Sequence, residues 1–352
     1  MKHRFVTCDI FTSRVFGGNP LAVFPDAREI PEEALQQIAR EFNLSETVFI
    51  YPPSDEAHTR RLRIFTPAAE IPFAGHPTVG AAFVLATLGE IALSEPETRV
   101  MLEEGVGPVP VLIRVRAGKP VFAQLTTAMR PEVGPPAPGR SILADILSLE
   151  PSDILGGMLA PQAVSCGLPF LIIPLKDRDA VRRAKVRLDH WESSLRKYWA
   201  PEMLVFSRDP ELEGSDIRAR VFVPGLSVPE DPATGSAAAA LGAYLATRDT
   251  TNATSLRYVM EQGFEMGRPS ILEIEVEKAD GTVTSVRVGG EAVMVSEGEL
   301  SVPLTPRRPG SARYRRASQR WLEDSGSRCS PGCAPRPSPR RAPRPLASAG
   351  HG

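Results

Sequence analysis

The chain has 352 residues, 42% apolar and 24% charged, an ordinary globular composition with enough length for one large or two medium cores. Its apolar runs fall far short of a membrane span, and Met1-Lys2-His3-Arg4 leads into an alternating segment broken by Asp9, so no membrane helix and no signal peptide is expected and the cytoplasm is the expected compartment. The formal net charge of −1 hides an asymmetry: from Pro306 onward eleven Arg face one Asp and one Glu, a charge of +9, which leaves −10 for residues 1–305. Contact with nucleic acid is therefore not expected except through that basic tail.

In chain order, the elements begin with a strand over Arg4–Phe11, a turn at Phe16-Gly17-Gly18-Asn19-Pro20 and a short strand over Leu21–Phe24. Pro31–Phe42 reads as an amphipathic helix, with Pro31 in its first turn and Leu35, Ile38, Ala39 and Phe42 on one face. Asn43 ends it, and Ser45, Glu46 and Thr47 are expected in a loop that enters a strand over Val48–Tyr51. Arg61–Thr66 alternates like a strand. Val79–Leu88 carries no charge and is expected to be a helix buried on all sides. Val109–Val115 reads as a strand, and Ile271–Val276 and Val283–Val288 as a hairpin turning at Ala279-Asp280-Gly281. Ala292–Val295 adds a further strand. The segment from about Pro306 lacks apolar periodicity and is expected to be disordered. Of the four cysteines, Cys8, Cys166, Cys329 and Cys333, all are read as reduced thiols. Cys329-Ser-Pro-Gly-Cys333 has no second ligand pair, so no metal site is expected.

Two segments can be laid over each other. Arg63-Ile64-Phe65-Thr66-Pro67 is followed by His76-Pro77-Thr78-Val79-Gly80, and Arg220-Val221-Phe222-Val223-Pro224 by Asp231-Pro232-Ala233-Thr234-Gly235. Each copy reads as strand, loop, polar residue, Pro and a helix of small residues, which suggests a duplicated domain with each helix enclosed by its own sheet. His76 and Asp231 are thereby expected at equivalent places just before a helix start. Such a start offers unpaired N–H groups and a positive dipole end, and two of them facing one cleft would grip a carboxylate and stabilise an enolate-like charge. A lone Asp before Pro is by default an N-cap. Two matched copies favour the functional reading. Arg63 and Arg220 alternate with apolar neighbours and are read as the solvent side of their strands.

Five motifs then occur in one order: Phe16-Gly17-Gly18-Asn19-Pro20-Leu21-Ala22-Val23, Asn43-Leu44-Ser45-Glu46-Thr47, Ala74-Gly75-His76-Pro77-Thr78, Asp231-Pro232-Ala233-Thr234-Gly235-Ser236-Ala237, and Gln262-Gly263 through Met266-Gly267-Arg268-Pro269-Ser270. In these the chain, over about Lys2 to Pro303, resembles the phenazine-biosynthesis PhzF-like family of isomerases, which shares the diaminopimelate epimerase fold. The resemblance implies an α+β fold of two pseudo-symmetric lobes, each a barrel-like sheet around a central helix. The lobes are expected over residues 1–125 and 126–305, with terminal segments crossing over, followed by the tail over 306–352.

The resemblance further implies biosynthetic acid–base catalysis without metal or organic cofactor, a small carboxylate substrate and a homodimer. Glu46 would carry the proton from one carbon to another, with Gly75, His76, Asp231, Gly235 and Ser236 around the substrate. Gly18, Asn19 and Arg268 are further cleft candidates, Arg268 either holding a carboxylate or tying the lobes together. Two alternatives stand beside this reading. An amino-acid epimerase or racemase would need a thiol at each helix start, where this chain has His76 and Asp231. A non-catalytic interaction protein could retain the fold.

Overall fold

A computed structural model describes residues 1–303 apart from Ser227. The basic tail, Cys329 and Cys333, and the disorder expected there, lie outside the described residues.

Met1–Thr305 form one compact unit in which eighteen strands join in a continuous sheet around two helices. The first of these helices, Gly75–Thr87, is buried along nearly its whole length, and so is the second, Gly235–Ala246. Their sequences explain this. Both lack charge and are rich in Gly and Ala, so strands can close on every face without stranding a polar group. Space is tight: a Cβ on Gly80 would come within 2.5 Å of Leu21 Cδ2, and one on Gly242 within 2.5 Å of Ile274 Cγ2. The α+β architecture with a central helix in each half is therefore the one the chain adopts.

Corresponding strands surround each helix. In the first half Asn19–Phe24 runs parallel to Glu46–Tyr51, which pairs antiparallel with Arg60–Phe65. In the second half Pro169–Pro174 runs parallel to Glu202–Ser207, which pairs antiparallel with Ile217–Val223. Two joints connect the halves: Lys2–Ile10 pairs with Ala292–Ser301, and Lys119–Thr126 with Thr282–Gly290. The expected hairpin is present as Ser270–Ala279 and Thr282–Gly290, turning at Asp280 and Gly281, both with positive φ.

Several boundaries differ from expectation. The amphipathic helix spans Glu32–Phe42 with Pro31 at its N-cap position, and Asn43 closes it in the left-handed region. More important for function, Glu46 is the first residue of the strand Glu46–Tyr51 rather than part of a loop. The parallel ladder with Leu21 fixes its backbone, because a parallel neighbour was not visible from the local pattern. The first central helix begins at Gly75, four residues earlier than its apolar periodicity indicates.

The strand registers also correct the expected alignment of the two copies. Ile64 pairs with Ile71 in one half and Val221 with Asp231 in the other. Gly75 and Gly235 each begin a central helix. His76 therefore corresponds to Ser236, and Asp231 to Ile71; the second copy has three extra residues between its strand and its helix. His76 lies inside its helix, whereas Asp231 ends the strand Val228–Asp231. Of the two arginines read as facing solvent, Arg220 does not, whereas Arg63 stays on the outer, partly exposed face of its strand. Arg220 is buried, donates to the carbonyls of Val181, Arg182 and Ala184, and pairs with Glu230. Arg63 is held between Glu32 and Glu70.

Candidate active site

The two central helices meet at their N-termini. A Cβ on Gly75 would lie 3.0 Å from Gly235 Cα and one on Gly235 3.3 Å from Gly75 Cα, so glycine at both positions lets the two backbones approach this closely. Neither helix start carries a side-chain cap. The first-turn N–H groups and both positive dipole ends are left for a ligand. Gly75→Ala places a methyl group against the Gly235–Ser236 backbone, which must shift by a few tenths of an ångström and so opens the junction. We expect it to abolish turnover while lowering the thermal midpoint by only a few degrees, read by activity assay and calorimetry on the same preparation.

Glu46, His76, Asp231 and Asn19 gather at this junction. Glu46 enters from the start of its strand, His76 from the first helix, and Asp231 from the strand leading to the second. Glu46 Oε2 stands 3.2 Å from His76 Nε2. The side chains are 16% and 5% exposed. The contact is close but poorly angled, for neither atom has a hydrogen-bond partner of good geometry. It is also not an ion pair, because burial pushes His76 down to about 3. His76 is neutral at any physiological pH, so it is a hydrogen-bond donor to Glu46 or a ligand rather than a cation for a substrate carboxylate.

Asn19 organises the group. Its Nδ2 donates to Asp231 Oδ1 at 3.0 Å and to the Ala233 carbonyl at 2.9 Å. Two oxygen acceptors settle which way the amide points. Both Nδ2 protons are thereby engaged, and His76 Nδ1, 3.3 Å from that donor group, is assigned as the unprotonated nitrogen. His76 consequently carries its proton on Nε2, the ring nitrogen 3.2 Å from Glu46 Oε2.

The two carboxyls differ in their surroundings. Burial first, and then the nearby Asp231 carboxylate, hold the Glu46 carboxyl well above its ordinary value of 4.5. Burial pushes Asp231 up to about 6, opposed by hydrogen bonds from Thr234, Asn19 and Ser45. Thr234 Oγ1 donates to Asp231 Oδ2 at 2.5 Å and Ser45 Oγ to Oδ1 at 3.4 Å. The hydrogen bonds on Asp231 favour its charged form, whereas Glu46 has no such support and is the harder of the two carboxyls to ionise. Two titratable groups pushed apart by their environments suit acid–base work.

Asp231 is not an N-cap. Thr234 occupies that position, and Gln262 donates to the Asp231 carbonyl at 2.7 Å while accepting from the Thr234 N–H. Ser236 is half-buried on the first turn of the second helix. Gly18 has φ +60°, and a Cβ there would lie 2.2 Å from the Ile10 carbonyl; it is a turn residue beneath Asn19. Arg268 donates to Asp9 Oδ1, to the Gly17 carbonyl and to the Gly18 carbonyl at 2.5, 2.6 and 2.8 Å. The carboxylate it holds belongs to the protein, and the arginine ties the Gly17–Asn19 turn to the second half.

Thr234 and Gln262 were not singled out from the sequence, although both lie within its motifs. A second omission is Glu202. Its strand has the same place in the second half as the Glu46 strand in the first, and Glu202 pairs with Phe170 as Glu46 does with Leu21. Its carboxyl, raised by burial to about 7, is met by the Gly225 N–H, not by a His and an Asp.

The two-lobed fold with a polar cluster between paired helix starts defines the class of the protein. The model of the phenazine biosynthesis-like protein family matches residues 8–298. An uncharacterised isomerase of Mesorhizobium japonicum is 38% identical over 301 residues, 85% of this chain and 98% of that one. The trans-2,3-dihydro-3-hydroxyanthranilate isomerase of Pseudomonas aeruginosa is 32% identical over 304 residues, 84% of this chain and 98% of that one. A Bacillus anthracis phenazine biosynthesis protein of the PhzF family superposes with a TM-score of 0.78 at 26% identity, covering 86% of this chain and all of that one. The chain belongs to the phenazine biosynthesis-like, PhzF-type family, and it is an isomerase. Among the described residues no helix is long and apolar enough to cross a membrane.

Proposed function

We propose that this isomerase moves one proton between two carbons of a small carboxylated, hydroxylated or unsaturated ring, with Glu46 as both acid and base and no cofactor in the proton path. The observation that carries the reading is the Glu46 carboxyl, nearly sealed and with Oε2 lacking a well-formed hydrogen bond, between His76 and Asp231. A carbon acid is hard to deprotonate, so its base must be positioned and its pKa brought toward working pH. Burial and Asp231 supply both.

The step is an internal transfer. Ionised Glu46 takes a proton from one substrate carbon, and the electron pair moves through the unsaturated system toward oxygen. First-turn N–H groups of the two central helices stabilise that charge. Glu46, now neutral, returns the proton to a second carbon. His76 Nε2–H and Asp231 orient the substrate. Because Glu46 must begin ionised, kcat/KM is expected to fall as pH drops through the raised, shared titration of the Glu46–Asp231 pair, well above the range of a free glutamate. A pH–rate profile whose acid limb lay at the ordinary carboxylate value would contradict this.

The epimerase alternative is disfavoured by its thiols. Cys8 and Cys166 are buried, and burial raises Cys166 to about 12 and Cys8 further, so neither offers a thiolate. The test is incubation with trans-2,3-dihydro-3-hydroxyanthranilate in deuterated water, followed by NMR. A rearranged product whose new carbon–hydrogen bond is only partly labelled, because Glu46 delivers the substrate's own proton, supports the reading. Label entering recovered starting compound without product points to epimerase-like chemistry. No exchange with this or related cyclic carboxylates favours a binding protein.

A further inference from the structure

We propose that Glu104 is a positioning residue: as an uncharged carboxylic acid it donates a hydrogen bond to Thr78 and so fixes the first turn of the helix that carries His76 beside Glu46. Glu104 ends the strand Glu97–Glu104 and is buried. Its Oε1 lies 2.6 Å from Thr78 Oγ1, and the same hydroxyl lies 2.7 Å from the Ala74 carbonyl one turn back. A hydroxyl has a single proton to give. The carbonyl has none, so two short contacts require that the second proton come from the carboxyl. Glu104 Oε2 is buried without a partner, and a carboxylate there would be an uncompensated buried charge. Burial raises this carboxyl to about 8, with the Thr78 contact pulling the other way.

The duplication supplies a second line of argument. Glu103 pairs in parallel with Arg61, and Glu261 with Arg218. Each of these glutamates accepts two loop N–H groups, from Ser54 and Asp55 or from Glu211 and Leu212. The next residue is Glu104 in one half and Gln262 in the other, each followed by glycine. Gln262 Nε2 donates to Thr234 Oγ1 at 3.1 Å, at the start of the second central helix. Both side chains therefore reach a threonine hydroxyl in the opening of a central helix, Thr234 at the N-cap of one and Thr78 four residues beyond the N-cap Ala74 of the other. An amide donates to that hydroxyl at any pH, a carboxyl only while protonated.

Titratable neighbours are engaged elsewhere. Glu103, beside it, also meets His58. On the parallel strand Arg60 meets Glu90, Arg61 lies over Tyr51, and Arg63 meets Glu32 and Glu70. On the helix His76 faces Glu46 and Asn19. Glu97 lies at the far end of its own strand, opposite Arg114 of the next.

The catalytic part of this proposal rests on the isomerase mechanism above; the protonation part does not. Difference infrared spectra of the full chain at neutral pH are expected to show one protonated-carboxyl component that Glu104→Gln removes, separate from those of Glu46 and Glu202, and that in the wild type disappears as pH rises through about 8. In NMR the His76 ring signals are expected to shift over the same range in the wild type and to stay still in Glu104→Gln. With trans-2,3-dihydro-3-hydroxyanthranilate as probe, wild-type kcat falls about tenfold one pH unit above that midpoint, and Glu104→Gln keeps its activity. A wild-type Glu104 ionised at neutral pH, a His76 signal indifferent to that titration, or an alkaline loss unchanged in Glu104→Gln would overturn the proposal. Absence of turnover by every form would instead count against the isomerase mechanism, and the infrared and His76 titrations would still decide the role of Glu104.

Discussion

Replacing Glu46 by Gln is expected to lower kcat by about 10²–10⁴-fold, the contribution of one positioned acid–base group, without unfolding the protein. Gln has the same shape and reach. It loses no hydrogen bond of good geometry, since Glu46 Oε2 makes none. It also removes a carboxyl whose ionisation the fold resists. The sign follows from the raised pKa of Glu46. Below the unfolded-state value near 4.5 the carboxyl is neutral in both states, and its contribution to stability is fully present. As pH rises through the higher folded-state value that contribution is lost. The Gln variant should therefore match the wild type in acid and exceed it in thermal midpoint at mildly alkaline pH, while being inactive at both. Glu202→Gln serves as the control. It alters the matching buried carboxyl of the other half, which has neither a His nor an Asp partner, and should leave turnover within about twofold of the wild type.

Arg268→Met is expected to destabilise the fold by about 3–5 kcal/mol, the usual cost of removing one partner from a buried charge pair. Asp9 is 4% exposed at its side chain and is held by Arg268 and by the Phe16 N–H at 2.6 Å. Methionine fills the space but strands the carboxylate and frees the Gly17 and Gly18 carbonyls. Asn19 follows directly on that turn, so the orientation of His76 and Asp231 loosens with it. The variant should show lower resistance to urea and a lower kcat together. Adding Asp9→Asn should recover part of the stability, because the stranded charge is gone, but less of the rate. Equal stability of Arg268→Met and the wild type would show that the turn is held by other contacts.

Much of this site was legible in the sequence because its residues sit in compact motifs, and motifs survive without knowledge of what lies across the chain. Glu46, His76, Asp231 and the two helix-start glycines could be named together. What stayed hidden was set by non-local pairing. Glu46 begins a strand only because Leu21 runs beside it. The apparent equivalence of His76 and Asp231 came from sliding one copy on its His-Pro and Asp-Pro pairs, whereas the strand registers place Ser236 opposite His76. The charge of His76 depends on burial at the junction of the helices, which periodicity cannot measure. Arg220 alternates with apolar residues as a surface residue would, yet a layer of helices over Arg178–Arg183 and Leu188–Ser194 covers that face. Strands such as Glu97–Glu104 and Lys119–Thr126, and most of residues 132–207, show no clear local pattern, because they alternate imperfectly and their registers are set by partners distant in sequence, for Lys119–Thr126 in the other half.

The central claim, that one carboxylate carries the proton between two carbons, is tested most directly by following an isotope through a single turnover. Trans-2,3-dihydro-3-hydroxyanthranilate deuterated at the carbon that loses its proton is converted in ordinary water, and the product is examined by NMR at the carbon that gains one. A shuttling Glu46 in a site this closed predicts product that retains part of the deuterium at the new position, and no product from Glu46→Gln. Product formed by Glu46→Gln at the wild-type rate would contradict the account.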